Sequence, residues 1–213
     1  GLRNQNDSRS LDLDMSTTIV VAHDFTCPWC WIGWHQAERL RAEFEVKIEW
    51  AGYELMPENL PWPAPGPQIP SDPRRPITPS RLELAYAAED LDRPHATRPK
   101  NMRTHNALEA VEHLKQEGFA HEFVGRMYRA YWTQGQEIDA LDVIEELAAG
   151  LTEDWAAMRS AIESRKYADK IVPFDDDAYA AGVFNVPTFF IGEARLAEQP
   201  YRTIARAVAR WLT

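Results

Sequence analysis

The sequence predicts an α/β protein whose sheet is interrupted by a large all-helical insertion. Near the N-terminus, apolar and β-branched runs at residues 17–25 and 46–55 flank a stretch of helical composition. The next strand-like run begins only at Thr188, after roughly one hundred residues in which apolar positions recur at helical spacing. At 213 residues the chain is long enough for one sizeable domain that carries such an insertion.

The N-terminal part is expected to run strand, helix, strand. Residues 17–25 are mostly apolar, which is typical of a strand that is buried on both faces. A helix follows to about Phe44. In the second strand, residues 46–55, apolar and charged side chains alternate at first, as in a strand with one exposed face.

The middle of the chain is predicted to be a proline-rich connector followed by five or six helices. Residues 57–79 hold nine of the fifteen prolines, a density that no regular element tolerates. Ser80 and Glu83 have the spacing of a capping box that opens a helix. Asp139 and Thr152 fit the N-caps of two later helices.

The C-terminal part is predicted to complete the sheet. A short helix at residues 175–181 ends at Gly182, and a strand follows at residues 188–191. Gly192-Glu193 has the composition of a tight turn into a second strand, which gives a hairpin. The last helix spans residues 200–211.

The only two cysteines of the chain, Cys27 and Cys30, are separated by Pro28 and Trp29. Because a strand precedes them and a helix follows, Cys27 is expected near a helix N-terminus, where unpaired N–H groups and the helix dipole favour an anion. A thiol in that position ionises more easily than free cysteine, whose pKa is ~8.5. We therefore predict that Cys27 attacks a disulfide and that Cys30, one turn later, resolves the mixed disulfide.

Two other interpretations of the pair stay open at this point. A Cys-x-x-Cys pair can supply half of a structural zinc site, but such a site usually needs four N or S ligands. No further cysteine is present, and the six histidines show no paired ligand spacing. We predict no metal ligands, and a metal or cluster shared between two subunits stays as the alternative. The second alternative is a pair of inert, buried thiols.

The residues around the pair are also candidates. Asp24 could accept or relay the proton of a thiol, or it could bond to backbone at the strand end, and the sequence favours neither. His23 is interpreted as structural. Trp29, between the cysteines, is the indole most expected to be exposed and to contact substrate, whereas Trp31 and Trp34 at helical spacing favour the core.

Charge and hydropathy exclude several classes of partner. The net charge of −10 argues against nucleic acid and against an anionic membrane surface. No apolar run approaches the ~20 residues of a membrane span. Residues 1–14 are polar and lack a signal-peptide pattern, so we interpret them as an N-terminal extension or tag remnant before Met15. We expect a cytoplasmic protein, in which a catalytic pair fits better than a structural disulfide.

The predicted order of elements, with the cysteines at the first strand-to-helix corner, resembles a thioredoxin fold with a large helical insertion domain. The sequence DFTCPWCWIG at residues 24–33 is similar to the DsbA family, and most similar to its FrnE-like branch. A second matching motif, GVFNVPTF, lies about 160 residues later, at residues 182–189. The resemblance extends over nearly the whole chain from Thr17.

The resemblance implies a role for the second motif. In the family this proline is cis and faces the cysteines, and the backbone before it pairs with substrate. These roles fall on Pro187 and Val186. Trp29 is a further substrate-binding candidate because of its position between the cysteines. Two features depart from the family pattern: Asn185 stands where many relatives have glycine, and the second cysteine pair of some FrnE-like proteins is missing.

The resemblance also implies a division of the chain. Residues 15–60 form the first part of a thioredoxin-like domain and residues 173–213 form its second part. The proline-rich connector and helical insertion, residues 61–172, lie between them.

The implied function is thiol–disulfide exchange with protein or low-molecular-weight thiols. No cofactor is expected, and glutathione is a candidate co-substrate. The alternative is a glutathione-dependent enzyme of the 2-hydroxychromene-2-carboxylate isomerase or kappa-class transferase type, although those relatives typically have serine at the first cysteine position. The oligomeric state stays open, with a homodimer among the alternatives.

Overall fold

The computed structural model describes residues 17–173 and 180–213. The strands in this part of the chain are β1 (Thr18–His23), β2 (Lys47–Glu54), β3 (Val172–Pro173), β4 (Thr188–Ile191) and β5 (Ala194–Ala197). They form one mixed sheet in the spatial order β3-β2-β1-β4-β5. The central strand β1 runs parallel to β2 and antiparallel to β4, and β3, the first strand after the helical segment, runs parallel to β2.

The sheet is combined with a larger number of helices. Within the described ranges they are α1 (Pro28–Glu43), α2 (Arg81–Ala88), α3 (His105–Glu117), α4 (Ala120–Gln134), α5 (Leu141–Ala148), α6 (Trp155–Glu163) and α7 (Tyr201–Trp211), with a 3-10 turn at Ala168–Lys170. Helices α2 to α6 all lie between β2 and β3 in the chain, so the predicted helical segment is present. The two-residue strand β3 was not predicted, because it is too short to show a periodic pattern. None of the helices in the described ranges has the length and apolarity needed to cross a bilayer.

The predicted capping box at Ser80 and the predicted turn at Gly192 are both present. The hydroxyl of Ser80 accepts a hydrogen bond from the Glu83 N–H at 3.2 Å, and the Glu83 carboxylate accepts one from the Ser80 N–H at 2.7 Å. This capping box starts α2. Strands β4 and β5 pair as a hairpin, and Gly192 adopts a positive φ of 57° in the turn between them.

The two other predicted N-caps are wrong. Helix α5 has Ala140 as its N-cap, while the Asp139 carboxylate accepts the N–H of Ala107 at 3.1 Å and so caps the first turn of α3 instead. Helix α6 is capped by Asp154, and Thr152 accepts the Asp154 N–H at 3.3 Å one step earlier. Thr152 thus bonds to an N–H two residues later in the chain, whereas Asp139 bonds to an N–H of a different helix, 32 residues away. The helix predicted at residues 175–181 falls mostly on residues 174–179, outside the described residues.

Helix α4 packs against α1 and β2 and covers the sheet behind the cysteines. The ring centroids of Trp34 and Trp50 lie 5.8 Å apart, and those of Trp34 and Tyr128 lie 6.2 Å apart. Gly125 permits this contact, because a Cβ at that position would lie 2.5 Å from the Trp34 ring. The helical segment therefore supplies one wall of the region behind the cysteine pair.

Candidate active site

The cysteine pair sits where β1 passes into α1. Cys27 is the N-cap of α1, with an extended backbone (φ −83°, ψ 121°), and Pro28 occupies the first helical turn. Proline is tolerated there because its missing N–H would have had no helical partner. The N–H groups of Cys30 and Trp31 donate to the Cys27 carbonyl at 3.0 and 3.2 Å. This local geometry holds the Cys27 sulfur at the start of the helix, as predicted from the sequence.

The two thiols are free and differ in environment. Cys27 keeps 8% of its surface exposed, whereas Cys30 is completely buried. A hydrogen bond from the Cys30 thiol lowers the pKa of Cys27, helped by the backbone N–H groups of Cys30 and Trp29 and opposed by burial. Burial raises the pKa of Cys30 well above its ordinary value, and so does its hydrogen bond to Cys27. Of the two thiols, Cys27 is therefore the one that loses its proton more readily.

The loop before β4 faces the cysteines. The Cys27 thiol donates to the Val186 carbonyl, with 3.6 Å between sulfur and oxygen. The Val186–Pro187 peptide bond is cis. The Pro187 ring packs on Gly33 of α1, where a Cβ would lie 3.0 Å from the Pro187 Cγ. Asn185, at the position where many relatives have glycine, uses its amide to donate to Glu198 at 2.7 Å.

Of the three indoles near the corner, Trp31 and Trp34 are buried and belong to the core, as predicted. Trp29 is only partly buried and borders a mostly apolar groove of about 270 Å³. Pro187 lies on the same groove, next to side chains of α1, α2 and the start of α7. The structure thus brings Trp29 and Pro187 to one surface beside the cysteine pair.

Asp24 is buried, and its carboxylate bonds to backbone. One oxygen accepts the Phe25 N–H and the other the Leu55 N–H, each at 2.8 Å. Burial raises the pKa of Asp24 to about 7 despite these hydrogen bonds. The charge of this carboxylate in turn raises the pKa of both Cys27 and Cys30. Asp24 therefore bonds to backbone, as expected for a residue at a strand end. A pKa of about 7 also allows its carboxyl to exchange a proton near neutral pH.

Tyr128 of α4 is a site residue that sequence reasoning missed. Its hydroxyl lies 2.7 Å from His23 Nδ1 and donates to the Asp24 carbonyl at 3.4 Å. It also contacts the Cys30 thiol, and burial raises the pKa of Tyr128 well above its ordinary value. Met127 and Tyr131 on the same helix are buried as well, and only the contacts of α4 with α1 and with the end of β1 distinguish Tyr128 from them.

His23 is structural in the sense predicted. Burial lowers its pKa to about 3, with a smaller contribution from the charge of Lys115, so the imidazole is neutral at physiological pH. Among residues 17–173 and 180–213, no group of three or more histidine, cysteine or acidic side chains is arranged to hold a metal ion.

A sheet with the order found here, a Cys-x-x-Cys pair at the start of its first helix and a proline loop facing that pair define a thioredoxin-like protein. The chain belongs to the family of the DSBA-like thioredoxin domain, whose model matches residues 18–209. This confirms both the predicted fold class and the predicted DsbA resemblance.

The comparisons also give individual relatives. The chain is 29% identical over 188 residues to the uncharacterized protein YwbO of Bacillus subtilis (strain 168). The aligned region covers 84% of this chain and 88% of that protein. It superposes on a probable DsbA oxidoreductase, SCO1869 of Streptomyces coelicolor, with a TM-score of 0.64 at 19% identity, covering 92% and 89% of the two chains.

Two further solved structures come from the groups that the sequence suggested. The cytosolic disulfide reductase DsbM of Pseudomonas aeruginosa, crystallised with GSH, gives a TM-score of 0.59 at 18% identity over 91% of this chain and 95% of that one. A 2-hydroxychromene-2-carboxylate isomerase gives 0.63 at 14% identity over 92% and 96%. At these identities the likeness concerns the fold, and together with the family it supports an oxidoreductase or an isomerase.

Proposed function

We propose that this protein is a thiol–disulfide oxidoreductase that exchanges disulfides with protein or low-molecular-weight thiols through Cys27 and Cys30. The observation that carries the proposal is the asymmetry of the pair. Cys27 keeps 8% of its surface exposed and has a lowered pKa, whereas Cys30 is completely buried and has a raised pKa. An attacking thiol must be exposed and ionised, and a resolving thiol needs only to reach the first sulfur.

In the first step the Cys27 thiolate attacks one sulfur of a substrate disulfide. A bond forms between Cys27 and that sulfur, the substrate S–S bond breaks, and the other substrate half leaves as a thiolate with the electron pair. The Val186 carbonyl, which now accepts the Cys27 thiol, is free to pair with substrate backbone once that thiol has reacted. Trp29 and Pro187 supply apolar contact beside the reacting sulfur.

In the second step Cys30 attacks the Cys27 sulfur, and the bound half of the substrate leaves as a thiolate. Cys27 and Cys30 are oxidised to a disulfide, and the substrate disulfide has been reduced to two thiols. Cys30 must first lose its proton, which its raised pKa opposes. The nearby Asp24 carboxylate, with a pKa of about 7, is suited to accept that proton near neutral pH.

The comparisons support the substrate class and the compartment of this proposal. DsbM is called a cytosolic disulfide reductase and was crystallised with GSH, so glutathione is included here among the thiol partners and the cytoplasm is taken as the compartment. The same chemistry runs in reverse when the pair is oxidised, and the direction in the cell follows from its potential relative to the thiol pool. We place no cofactor and no metal in the reaction.

The test separates the roles of the two cysteines. Cys30→Ser should keep attack and lose resolution, so mixed disulfides accumulate on Cys27. Cys27→Ser should accumulate almost none. Non-reducing gels and mass spectrometry of each variant purified from cells show the trapped partners, and the double serine variant is the background control.

Three other results would change the assignment. Equal trapping by both single variants would overturn the division of roles. Glutathione-dependent turnover of an aromatic isomerase substrate by the protein, with no trapping, would favour the isomerase. Bound metal in the purified protein, again with no trapping, would favour a metal-binding module.

A further inference from the structure

A second pocket, of about 260 Å³, lies at the N-terminal end of α1, next to the chain neighbours of Cys27. Thr26 and Pro28, the two chain neighbours of Cys27, form part of its wall. The remaining wall comes from α2, from the loop after α2 and from the C-terminal part of α4. Helix α2 separates this pocket from the groove at Trp29, because different side chains of α2 line the two.

Two guanidinium groups reach this pocket, from Arg93 and Arg98. Arg93 pairs with the exposed Glu83 at 2.8 Å. Arg98 lies over the Trp132 ring, 4.4 Å from its centroid, and donates to the Ala96 carbonyl at 3.4 Å. No carboxylate within residues 17–173 and 180–213 forms an ion pair with Arg98, which is notable in a chain with a net charge of −10. Stacking on an indole holds a guanidinium in place and leaves its N–H donors available to an anion.

Two tyrosines add neutral donors next to these charges. Tyr86 is only 3% exposed, and burial raises its pKa, opposed by the charges of Arg98 and Arg93 and assisted by the charge of Cys27. Tyr131 is also buried, and its hydroxyl hydrogen-bonds with Arg98. The phenols therefore stay protonated and able to donate. A concave site with guanidinium and phenol donors fits a carboxylate, which only accepts hydrogen bonds.

We propose that the pocket beside Thr26 and Pro28 binds a carboxylate of the substrate, and that low-molecular-weight disulfides with a carboxylate a few bonds from the sulfur are preferred substrates. The inference rests on the proposed exchange at Cys27. The pocket volume suits a carboxylate on a short chain rather than a folded segment. When the Cys27–substrate bond forms and the other half leaves as a thiolate, the retained half keeps its carboxylate on Arg98.

The experiment compares three symmetrical disulfides of similar size that are anionic, neutral and cationic, respectively: 3,3′-dithiodipropionic acid, 2-hydroxyethyl disulfide and cystamine. Each reacts with the Cys30→Ser protein, so that the mixed disulfide on Cys27 is the end product, and mass spectrometry gives the rate constant. Dividing by the rate of 2-mercaptoethanol with the same disulfide removes differences in intrinsic reactivity. The anionic disulfide should react about tenfold faster than the cationic one, a ratio that corresponds to ~1.4 kcal/mol. Added salt should reduce that preference.

Two substitutions in the same background locate the effect. Arg98→Gln should reduce the ratio of anionic to cationic rate constants from about ten to about one, and Arg98→Lys, which keeps a charge without the planar fork, should reduce it less. Arg206→Gln, which removes an exposed charge from α7, is the matched control for net charge and should leave the ratio unchanged.

The outcomes distinguish this inference from the proposed function. No reaction of Cys27 with any of the three disulfides would refute the proposed exchange itself. Equal normalised rates for all three, or an unchanged ratio in a folded Arg98→Gln variant, would refute only the carboxylate pocket. Should Arg98→Gln fail to fold, the charge series on the parent protein and the Lys variant decide the matter.

Discussion

Replacement of Asp24 by asparagine tests the electrostatic basis of the proposed proton transfer. The side chain is buried, and each carboxylate oxygen accepts one backbone N–H. Asparagine has nearly the same shape but only one accepting oxygen. One of the two backbone N–H groups therefore loses its acceptor and meets the NH₂ group of the asparagine instead. An unsatisfied buried donor costs about 1–3 kcal/mol at every pH. The substitution also removes a group that titrates.

The titrating part of the effect has a defined sign and size. Burial raises the pKa of Asp24 from 3.8 to about 7, and one pKa unit corresponds to ~1.36 kcal/mol, so ionisation costs the folded protein about 4 kcal/mol. Below about pH 4 the carboxyl is protonated in both states and the cost is absent. As the pH rises from about 4 to about 7, the unfolded chain releases the proton while the folded protein keeps it, and stability is lost. About 2.5 kcal/mol of this loss falls between pH 5 and pH 8.

The assay is urea unfolding of the reduced proteins at pH 5 and pH 8. The difference in unfolding free energy between wild type and Asp24→Asn should shift by about 2.5 kcal/mol in favour of the variant at pH 8. Asp139→Asn is the matched control, because burial raises the pKa of Asp139 to about 7 as well. Both variants should flatten the pH dependence, but only Asp24→Asn should slow closure of the Cys27–Cys30 disulfide, by at least about tenfold at pH 8. A difference that is equal at the two pH values would refute the reasoning, since an ordinary carboxyl could not take a proton from Cys30 near neutral pH.

Three further substitutions or titrations test other contacts of the site. The rate of alkylation of Cys27 should follow a titration below the ~8.5 of free cysteine, and a midpoint at or above that value would contradict an activated thiol. Gly33→Ala places a methyl group 3.0 Å from the Pro187 ring and should displace the loop, so insulin reduction should slow several-fold. Alanine itself favours the helix by about 1 kcal/mol, so a loss of helix stability would not explain the slower rate. Unchanged turnover would mean that the position of the loop is unimportant. Tyr128→Phe removes the partner of His23 Nδ1 and should lower the unfolding free energy by about 1–3 kcal/mol, measured by urea unfolding at pH 7.

The parts of the fold and site that sequence reasoning predicted are those encoded over a few consecutive residues. The capping box at Ser80, the turn at Gly192 and the position of Cys27 before a helix each depend on residues within one turn of chain. The order of strands and helices follows from hydrophobic periodicity, which is also a local property. The role of the motif around Pro187 could be predicted only because its sequence resembles that of a known family.

The parts that it missed depend on contacts between distant segments. Asp139 is a residue type that often caps the helix that follows it. In the folded protein, however, the N–H of Ala107 in α3 lies close by, and the Asp139 carboxylate accepts its hydrogen bond. Tyr128 is 98 positions from Cys30 in the chain and contacts its thiol only because α4 packs on α1. Arg98 lies in a loop whose sequence contains no motif. For such residues the sequence gives the side-chain chemistry and the fold alone gives the neighbours.

The helical segment between β2 and β3 therefore contributes to the chemistry of the cysteines and is more than an addition to their surroundings. The local sequence at the start of α1 explains why the pKa of Cys27 is lowered, because the Cys30 thiol and then backbone N–H groups of that helix hydrogen-bond to its sulfur. The same local sequence does not explain why the pKa of Cys30 is raised, because that shift depends first on the complete burial of its side chain. Tyr128 of α4 is one of the residues that bury it. The proposed carboxylate pocket has the same dual origin, with Thr26 and Pro28 on one side and α2, α4 and the loop of Arg98 on the other. Changes in α2 and α4 should therefore alter redox poise and substrate preference without any change in the Cys-x-x-Cys motif.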